Sequence, residues 1–279
     1  MNRASRRSCH ATMRRLMALS LQRLVSRLKA LGKRLLPPHV RLTVTNAFYI
    51  LRALFYLGSR YACPCCRGRF RRFLPVEPGA VGTLCPRCGS FARQRLLWLF
   101  LHQKTSLFTA PHTVLDVAPE RILSRTLRSL DGIRYVSGDL DSPMAMLSLD
   151  VTDIPFRDDY FDVVFCHHVL EHVPDDRTAL RELHRVLNRE GFAILQTPFD
   201  PARAHTYEDA SIVSPMDRLR AFGHLEHVRI YGRDLENRMR EAGFTVRRDP
   251  FVRTLSPAVI DRYGLDAAED IFVCKKGWK

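Results

Sequence analysis

Between residues 113 and 274 the chain alternates between two patterns of apolar and polar positions. Short runs of buried-type residues (TVLDV, IRYVSGD, MLSLDV, FDVVFC, GFAILQT) are separated by stretches with apolar residues every three or four positions. The runs predict strands of a parallel sheet, apolar on both faces, and the stretches predict amphipathic helices at Pro119–Leu130, Pro174–Asn188 and Gly232–Ala242. Two further runs, FTVRR and DIFVC, close the series as a hairpin-like pair. The expected fold is therefore α/β, a doubly wound, mostly parallel seven-stranded sheet covered by helices on both faces.

A different pattern precedes this region. Residues 12–36 place Met17, Leu21, Leu24, Leu28, Leu31 and Leu35 on one helical face, with basic residues over the rest, and Pro37-Pro38 ends the pattern. Charge sharpens the contrast, because seventeen of the 44 Lys/Arg precede the first acidic residue, Glu77, leaving 27 basic against 29 acidic residues from Glu77 onward. The net charge of +15 thus belongs to the N-terminal end, which points that end alone at a phosphate-rich or anionic-lipid surface. An acid-free basic helix suits peripheral contact with an anionic membrane, packing on the domain or on another copy, or an organelle transit segment. No run reaches the roughly 20 apolar residues that span a bilayer, and Met1–Ser20 lacks the apolar centre of a secretory signal.

Eight cysteines change the picture between these regions. Cys63-Pro-Cys65-Cys66 and Cys85-Pro-Arg-Cys88-Gly form two CxxC pairs eighteen residues apart. Each pair can donate two thiolates from one tight turn, so Cys63, Cys66, Cys85 and Cys88 are the expected ligands of a structural zinc, with Cys65 ambiguous and unpaired reduced thiols as the alternative. The remaining cysteines are scattered, so a reducing, cytoplasmic setting fits better than a disulfide framework. Ser90 is the expected start of a connecting helix, SFARQRLLWLFLHQ, whose first turn carries Arg93 and Arg95 against the helix dipole; an anion nearby or simple solvation would account for them. The domain reading is a basic helical segment over 1–60, a zinc ribbon over 61–90, a connecting helix over 91–110 and the α/β domain over 111–279.

Ligands of doubly wound sheets lie beyond the C-terminal ends of the strands. There the first strand presents Asp116 and then Ala118-Pro119-Glu120, the second Asp139, and the third Asp150 followed by Asp153-Ile154-Pro155-Phe156. The fourth presents Cys166-His167-His168-Val-Leu-Glu171-His172.

With DVTDIPFRDDYFDVVFCHHVLEHVPDD and LRELHRVLNREG, the chain resembles the class I S-adenosylmethionine-dependent methyltransferases, in particular the type 11-like group, over about Thr113–Phe251. The coupling of a CxxC…CPRCGS ribbon to an APE loop also looks like a set of bacterial methyltransferases. The resemblance implies a Rossmann-like domain, S-adenosylmethionine as cofactor and methyl transfer as activity. It places Asp139 at the adenosine ribose, Asp150 and the backbone of Val151 at the adenine, and Asp116 at the ammonium of the amino-acid tail, with Ala118, Glu120, Leu140 and Cys166 completing the cofactor site. His167, His168 or His172 would serve as general base. The family's glycine-rich first turn is replaced by Ala118-Pro119-Glu120, which forms a helix start but sets a carboxylate near the methionine end. A Glu-x-x-Glu-His cluster holds a divalent ion in some relatives, and His168, Glu171 and His172 stand at similar spacing.

Downstream, the polar stretch 200–227 is where such domains cover their acceptor, making His205, Tyr207, His224 and His227 candidate contacts. The acceptor itself is open: a small molecule, a lipid-linked or envelope glycan, or RNA. The rival class is a ribbon-containing nucleic-acid- or partner-binding protein whose domain no longer turns over.

Overall fold

The computed structural model describes residues 47–75 and 83–277. The chain divides into two units, 1–55 and 56–279. In the first, residues 47–54 are helical, and the basic stretch 12–36 lies outside the described residues. No helix among the described residues is long and apolar enough to cross a membrane.

The second unit opens with a small antiparallel pair, β1 (Leu57–Ala62) and β2 (Arg69–Phe70). Helix α1 (Ala92–Lys104) leads into the sheet. It starts two residues later than expected: Phe91 is the cap, its N–H donating to Gln94 Oε1 at 2.8 Å, and Ser90 is fully buried among the cysteines. The sheet then builds through β3 (His112–Val117), α2 (Arg121–Leu127), β4 (Ile133–Asp139), β5 (Leu147–Ser148), β6 (Phe161–His167), α3 (Asp176–Val186) and β7 (Leu187–Gln196). A side excursion follows, β8 (Tyr207–Glu208), α4 (Pro215–Phe222) and β9 (Arg229–Ile230). The chain ends with α5 (Leu235–Glu241), β10 (Thr245–Asp249), a 3-10 turn, α6 (Pro257–Tyr263) and β11 (Ile271–Lys275).

The strand order is β10-β11-β7-β6-β3-β4-β5. Pairing is parallel from β7 through β5, and β11 runs antiparallel to both of its neighbours. This is the Rossmann-like sheet expected, with order reversing at β3, where β6 lies on one side and β4 on the other.

Alternation along the central strands feeds two cores. Leu115, Val164, Cys166, Ala193 and Leu195 pack with α3 and α5 on one face. Val114, Val163, Phe165 and Ile194 pack with α1 and α2 on the other. Extending that alternation to the strand ends puts Asp116, His167 and Gln196 on the α1/α2 side, the first two beside the α2 N-terminus.

The signature block after β5 has a packing reason. Glu182 of α3 accepts from the Ile154 N–H at 2.9 Å, and Arg185 donates to the carbonyls of Ile154 (2.8 Å) and Phe156 (2.7 Å) while pairing with Glu182 and Asp158. Asp162, at the start of β6, accepts from the Thr113 N–H and from Asn188. It therefore ties strand starts together at the end opposite the site.

Candidate active site and metal centre

The two CxxC turns converge. Cys63 and Cys88 sulfurs lie 3.6 Å apart, Cys66 and Cys85 sulfurs 3.7 Å apart, and all four are mutually within 4.8 Å. Four thiolates bound tetrahedrally at about 2.3 Å stand roughly 3.8 Å from one another, so the donor set fits zinc. The knuckles share one backbone form. Arg67 and Gly89 each follow the second cysteine with φ of 58° and 75°, and their N–H groups donate back to Cys63 and Cys85 carbonyls. Cys65 is outside this group of four.

Arg95 corrects the expectation of a solvated arginine. It is fully buried, and its guanidinium donates to the carbonyls of Ser90, Thr83, Tyr263 and Gly264 at 2.6–2.8 Å, over the Phe73 ring at 4.0 Å. Among the described residues it has no carboxylate partner. The nearby cysteine sulfurs act on it electrostatically, against the cost of its burial. Four thiolates this close would need a metal ion to offset their mutual repulsion, and the four sulfurs are placed to hold one.

At the strand ends, Ala118 occupies the left-handed region with φ of 54°, and its N–H donates to the Gly138 carbonyl at 2.8 Å. The first loop has thus kept a glycine-type backbone without the glycine. Gly138 itself cannot carry a side chain, because a Cβ there would stand 2.5 Å from Leu149 Cβ. Glu120 caps α2 and lies 3.5 Å from Arg93 and 4.0 Å from His167 Nδ1. Arg93 is therefore the ion-pair partner of the first loop.

Asp116 lies behind that loop at 1% exposure, accepting from the Tyr135 hydroxyl at 2.6 Å. Burial pushes its carboxyl up to about 7. Cys166 is likewise enclosed, and burial raises its thiol above the usual range. Asp139 keeps one carboxylate oxygen on the N–H groups of Asp141 (2.9 Å) and Ser142 (2.8 Å), which leaves the other available to a ligand. Leu140 beside it is 62% exposed. Asp150 holds its own turn through Thr152, and Val151 is buried beneath it.

The histidines separate into different environments. His167 is buried, its Nε2 has no hydrogen-bond partner, and burial pulls it down to about 4, so it is neutral at physiological pH. His168, with φ of 55°, donates from Nδ1 to Glu171 at 3.2 Å, and Thr197 Oγ1 donates to the other Glu171 oxygen at 2.7 Å. These bonds outweigh burial and hold Glu171 below the usual carboxylate range.

The expected His168, Glu171 and His172 ion site is corrected by the backbone. The positive φ at His168 and the turn over 170–172 replace the helix that would align the three side chains. His172 instead faces His224 and His227, with ring centroids 5.6 Å and 4.7 Å away. Of the other downstream candidates, His205 is exposed and Tyr207 packs on Phe222 at 5.5 Å. Sequence reading missed Gln196, Thr197 and Glu269, which close this end of the site: Gln196 Nε2 donates to Glu269 at 3.4 Å, and His168 and Arg93 both act on Glu269. A carboxamide at the end of the fifth predicted strand was the available signal.

Residues 104–195, about a third of the chain, match a protein family described as a methyltransferase domain. The chain is 35% identical over 86 residues to a tRNA U34 carboxymethyltransferase of Nautilia profundicola, a match covering 30% of this chain and 29% of that protein. It is 36% identical over 96 residues to a malonyl-[acyl-carrier protein] O-methyltransferase of Halorhodospira halophila, covering 34% and 30%. It is 29% identical over 98 residues to the uncharacterized methyltransferase YcgJ of Bacillus subtilis, covering 35% and 33%. The matched stretches thus span about a third of each of these relatives. The solved YcgJ structure superposes with a TM-score of 0.45 and 16% identity, over 67% of this chain and all of that one.

Proposed function

We propose that this protein transfers a methyl group from S-adenosylmethionine to an acceptor presented above the ends of β3, β6 and β7. The observation that carries this reading is the first loop: Ala118 in a glycine-type conformation, next to an Asp139 carboxylate with a free oxygen, in a stretch that matches the methyltransferase-domain family. The buried His167 Nε2, without a hydrogen-bond partner among the described residues, supports the reading as unused polar capacity at the strand ends.

When bound, the cofactor supplies a methyl group on a positive sulfur, displaced in line by the acceptor's electron pair while the pair of the breaking bond goes to sulfur. In the protein's share of this work, Asp139 would hold the ribose hydroxyls with Leu140 beside it, Asp150 would meet the adenine amino group with the Val151 backbone facing the ring, and Asp116 would act from behind through Tyr135. For the acceptor's proton, the pattern Thr197–Glu171–His168 singles out His168. Its Nδ1 is fixed on a carboxylate, leaving Nε2 to accept a proton. His167, already neutral and lowered to about 4, is the poorer base.

Calorimetry with S-adenosylhomocysteine tests the reading. Binding should fall about 10- to 100-fold in Asp139→Ala, the scale of lost hydrogen bonds to a charged group. A folded sample that shows no binding at millimolar ligand would favour the rival, a binding module.

Glu120 favours the rival, since the resemblance brings the ligand's own carboxylate next to its side chain, whose partners here are Arg93 and His167. Glu120→Gln removes that repulsion and releases Arg93, so affinity for S-adenosylhomocysteine should rise several-fold. Affinity for 5′-methylthioadenosine, which lacks the amino-acid end, should stay the same; an equal change for both ligands would remove Glu120 from the methionine end.

The acid-free first 76 residues support two acceptor settings, an RNA or a lipid-linked molecule at a membrane face. RNA retention should weaken with salt and survive detergent, whereas liposome retention should need anionic lipid and vanish when residues 1–40 are removed.

A further inference from the structure

We propose that His172, His224 and His227 form a divalent-metal site, separate from the four-cysteine centre, at the acceptor side of the domain. Each residue offers a ring nitrogen, and the three atoms lie within 4.8 Å of one another. Three imidazoles on one ion at about 2.1 Å stand roughly 3.0–3.4 Å apart, so modest ring rotation closes the set. His224 is exposed and His172 and His227 are half-buried, so an ion there keeps open positions toward solvent and acceptor.

The convergence is built by the fold. His172 lies just after β6, and His224 and His227 lie more than fifty residues later, in the excursion between α4 and β9. The Val228 N–H donates to the Glu171 carbonyl at 2.9 Å. Arg229, 4% exposed, donates to the carbonyls of Leu170 (2.7 Å), Val173 and Pro174 (2.8 Å) and pairs with Glu208 at 2.8 Å. One buried guanidinium therefore pins the excursion to the loop after β6, which holds the histidines of both segments together. The three rings crowd one another, with His224 and His227 centroids 4.5 Å apart.

The Glu171 carboxyl group, which accepts from His168 and Thr197, belongs to the residue next to His172, and the backbone carbonyl of the same residue accepts from the Val228 N–H beside His227. His224 Nδ1 accepts from the Glu226 N–H at 3.2 Å, so binding through its other nitrogen moves the ring proton and gives up that contact. A neutral three-imidazole set suits zinc, cobalt or nickel more than magnesium or calcium. The metal-binding claim stands apart from the transferase reading. Only its use, holding an oxygen of the acceptor beside the methyl donor, rests on that reading.

The test is zinc titration of the full chain, after dialysis against a mild chelator that leaves the thiolate-bound ion in place. Wild type should take up one further equivalent at micromolar zinc. His224→Ala and His227→Ala should lose that equivalent, keep the thiolate-bound one, and bind S-adenosylhomocysteine like wild type. Cobalt substitution distinguishes the sites, because only the cysteine centre gives thiolate charge-transfer absorption. No further equivalent in wild type, or an unchanged equivalent in both variants, would overturn the site. Loss of cofactor binding by wild type with the metal equivalent intact would overturn the transferase reading alone.

Discussion

Arg95→Met should lower the unfolding free energy by about 3–5 kcal/mol, the cost of breaking a buried charge interaction on one side. The substitution leaves carbonyls of Ser90, Thr83, Tyr263 and Gly264 without their donor, and removes a buried cation on which the cysteine cluster acts. Two of those carbonyls lie at the C-terminal end of α6 and two flank the second cysteine turn, so Arg95 joins the ribbon to the C-terminal part of the sheet domain. Cys85→Ser should be at least as damaging, with loss of the single tightly held zinc expected per chain. The two substitutions should not add: once the cysteine cluster is broken, it no longer acts on the buried Arg95 charge, so removing that charge costs less. A double-mutant cycle by denaturant unfolding should show coupling of at least about 1 kcal/mol. Additive effects, or a metal analysis that finds no zinc in wild type, would detach Arg95 from the metal centre.

The second large effect is a pH dependence centred on Asp116. Burial raises its folded-state value to about 7 from the ordinary 3.8, so the folded protein holds a proton that the unfolded chain gives up. The stability this contributes is present in full below about pH 4 and is lost as pH rises toward 7, by at most about 4 kcal/mol at 1.36 kcal/mol per unit. His167 works the other way. Its folded value of about 4 lies below the ordinary 6.5, so its contribution is present above pH 6.5 and lost as pH falls toward 4. In wild type the two slopes oppose one another through that window. Asp116→Asn keeps an acceptor for the Tyr135 hydroxyl and removes one slope. The variant should therefore gain stability over wild type at pH 8 and lose the advantage near pH 4. Parallel stability curves for the two proteins between pH 4 and 8 would show that Asp116 does not titrate in this range.

The proposed metal site and the proposed cofactor site share the loop 167–175, but they depend on different contacts within it. His167 and His168 face the cofactor end through Glu120 and Glu171, while His172 turns to the excursion. A single loop whose backbone breaks at His168 can therefore serve both, which a helix over the same residues could not.

Much of this was legible from local pattern. IRYVSGD became β4 to the residue, and TVLDV, FDVVFC and DIFVC each became strands within one residue at either end. A strand buried on both faces leaves no freedom in which residues are apolar, and that constraint is written along the chain. The four zinc-type cysteines were readable for a similar reason, because a CxxC turn brings its own two sulfurs together and needs only one partner turn. MLSLDV shrank to the two-residue β5, because an edge strand exposed on one side is weakly specified by its own residues.

What pattern could not supply was the company each polar side chain keeps. An arginine in the first turn of a helix looks alike whether solvated or enclosed, and only the approach of α6 and the cysteine turns enclosed Arg95. His168, Glu171 and His172 share helical spacing, but the turn after β6 sent His172 to partners more than fifty residues away. The sequence by itself determined the strands, the two-faced core, the cysteine centre and the acidic strand ends, since each follows from short-range periodicity or spacing. The tertiary structure alone decided that Asp116 lies buried behind the first loop, that Arg93 answers Glu120, and that three histidines meet, because those contacts are set by long-range packing.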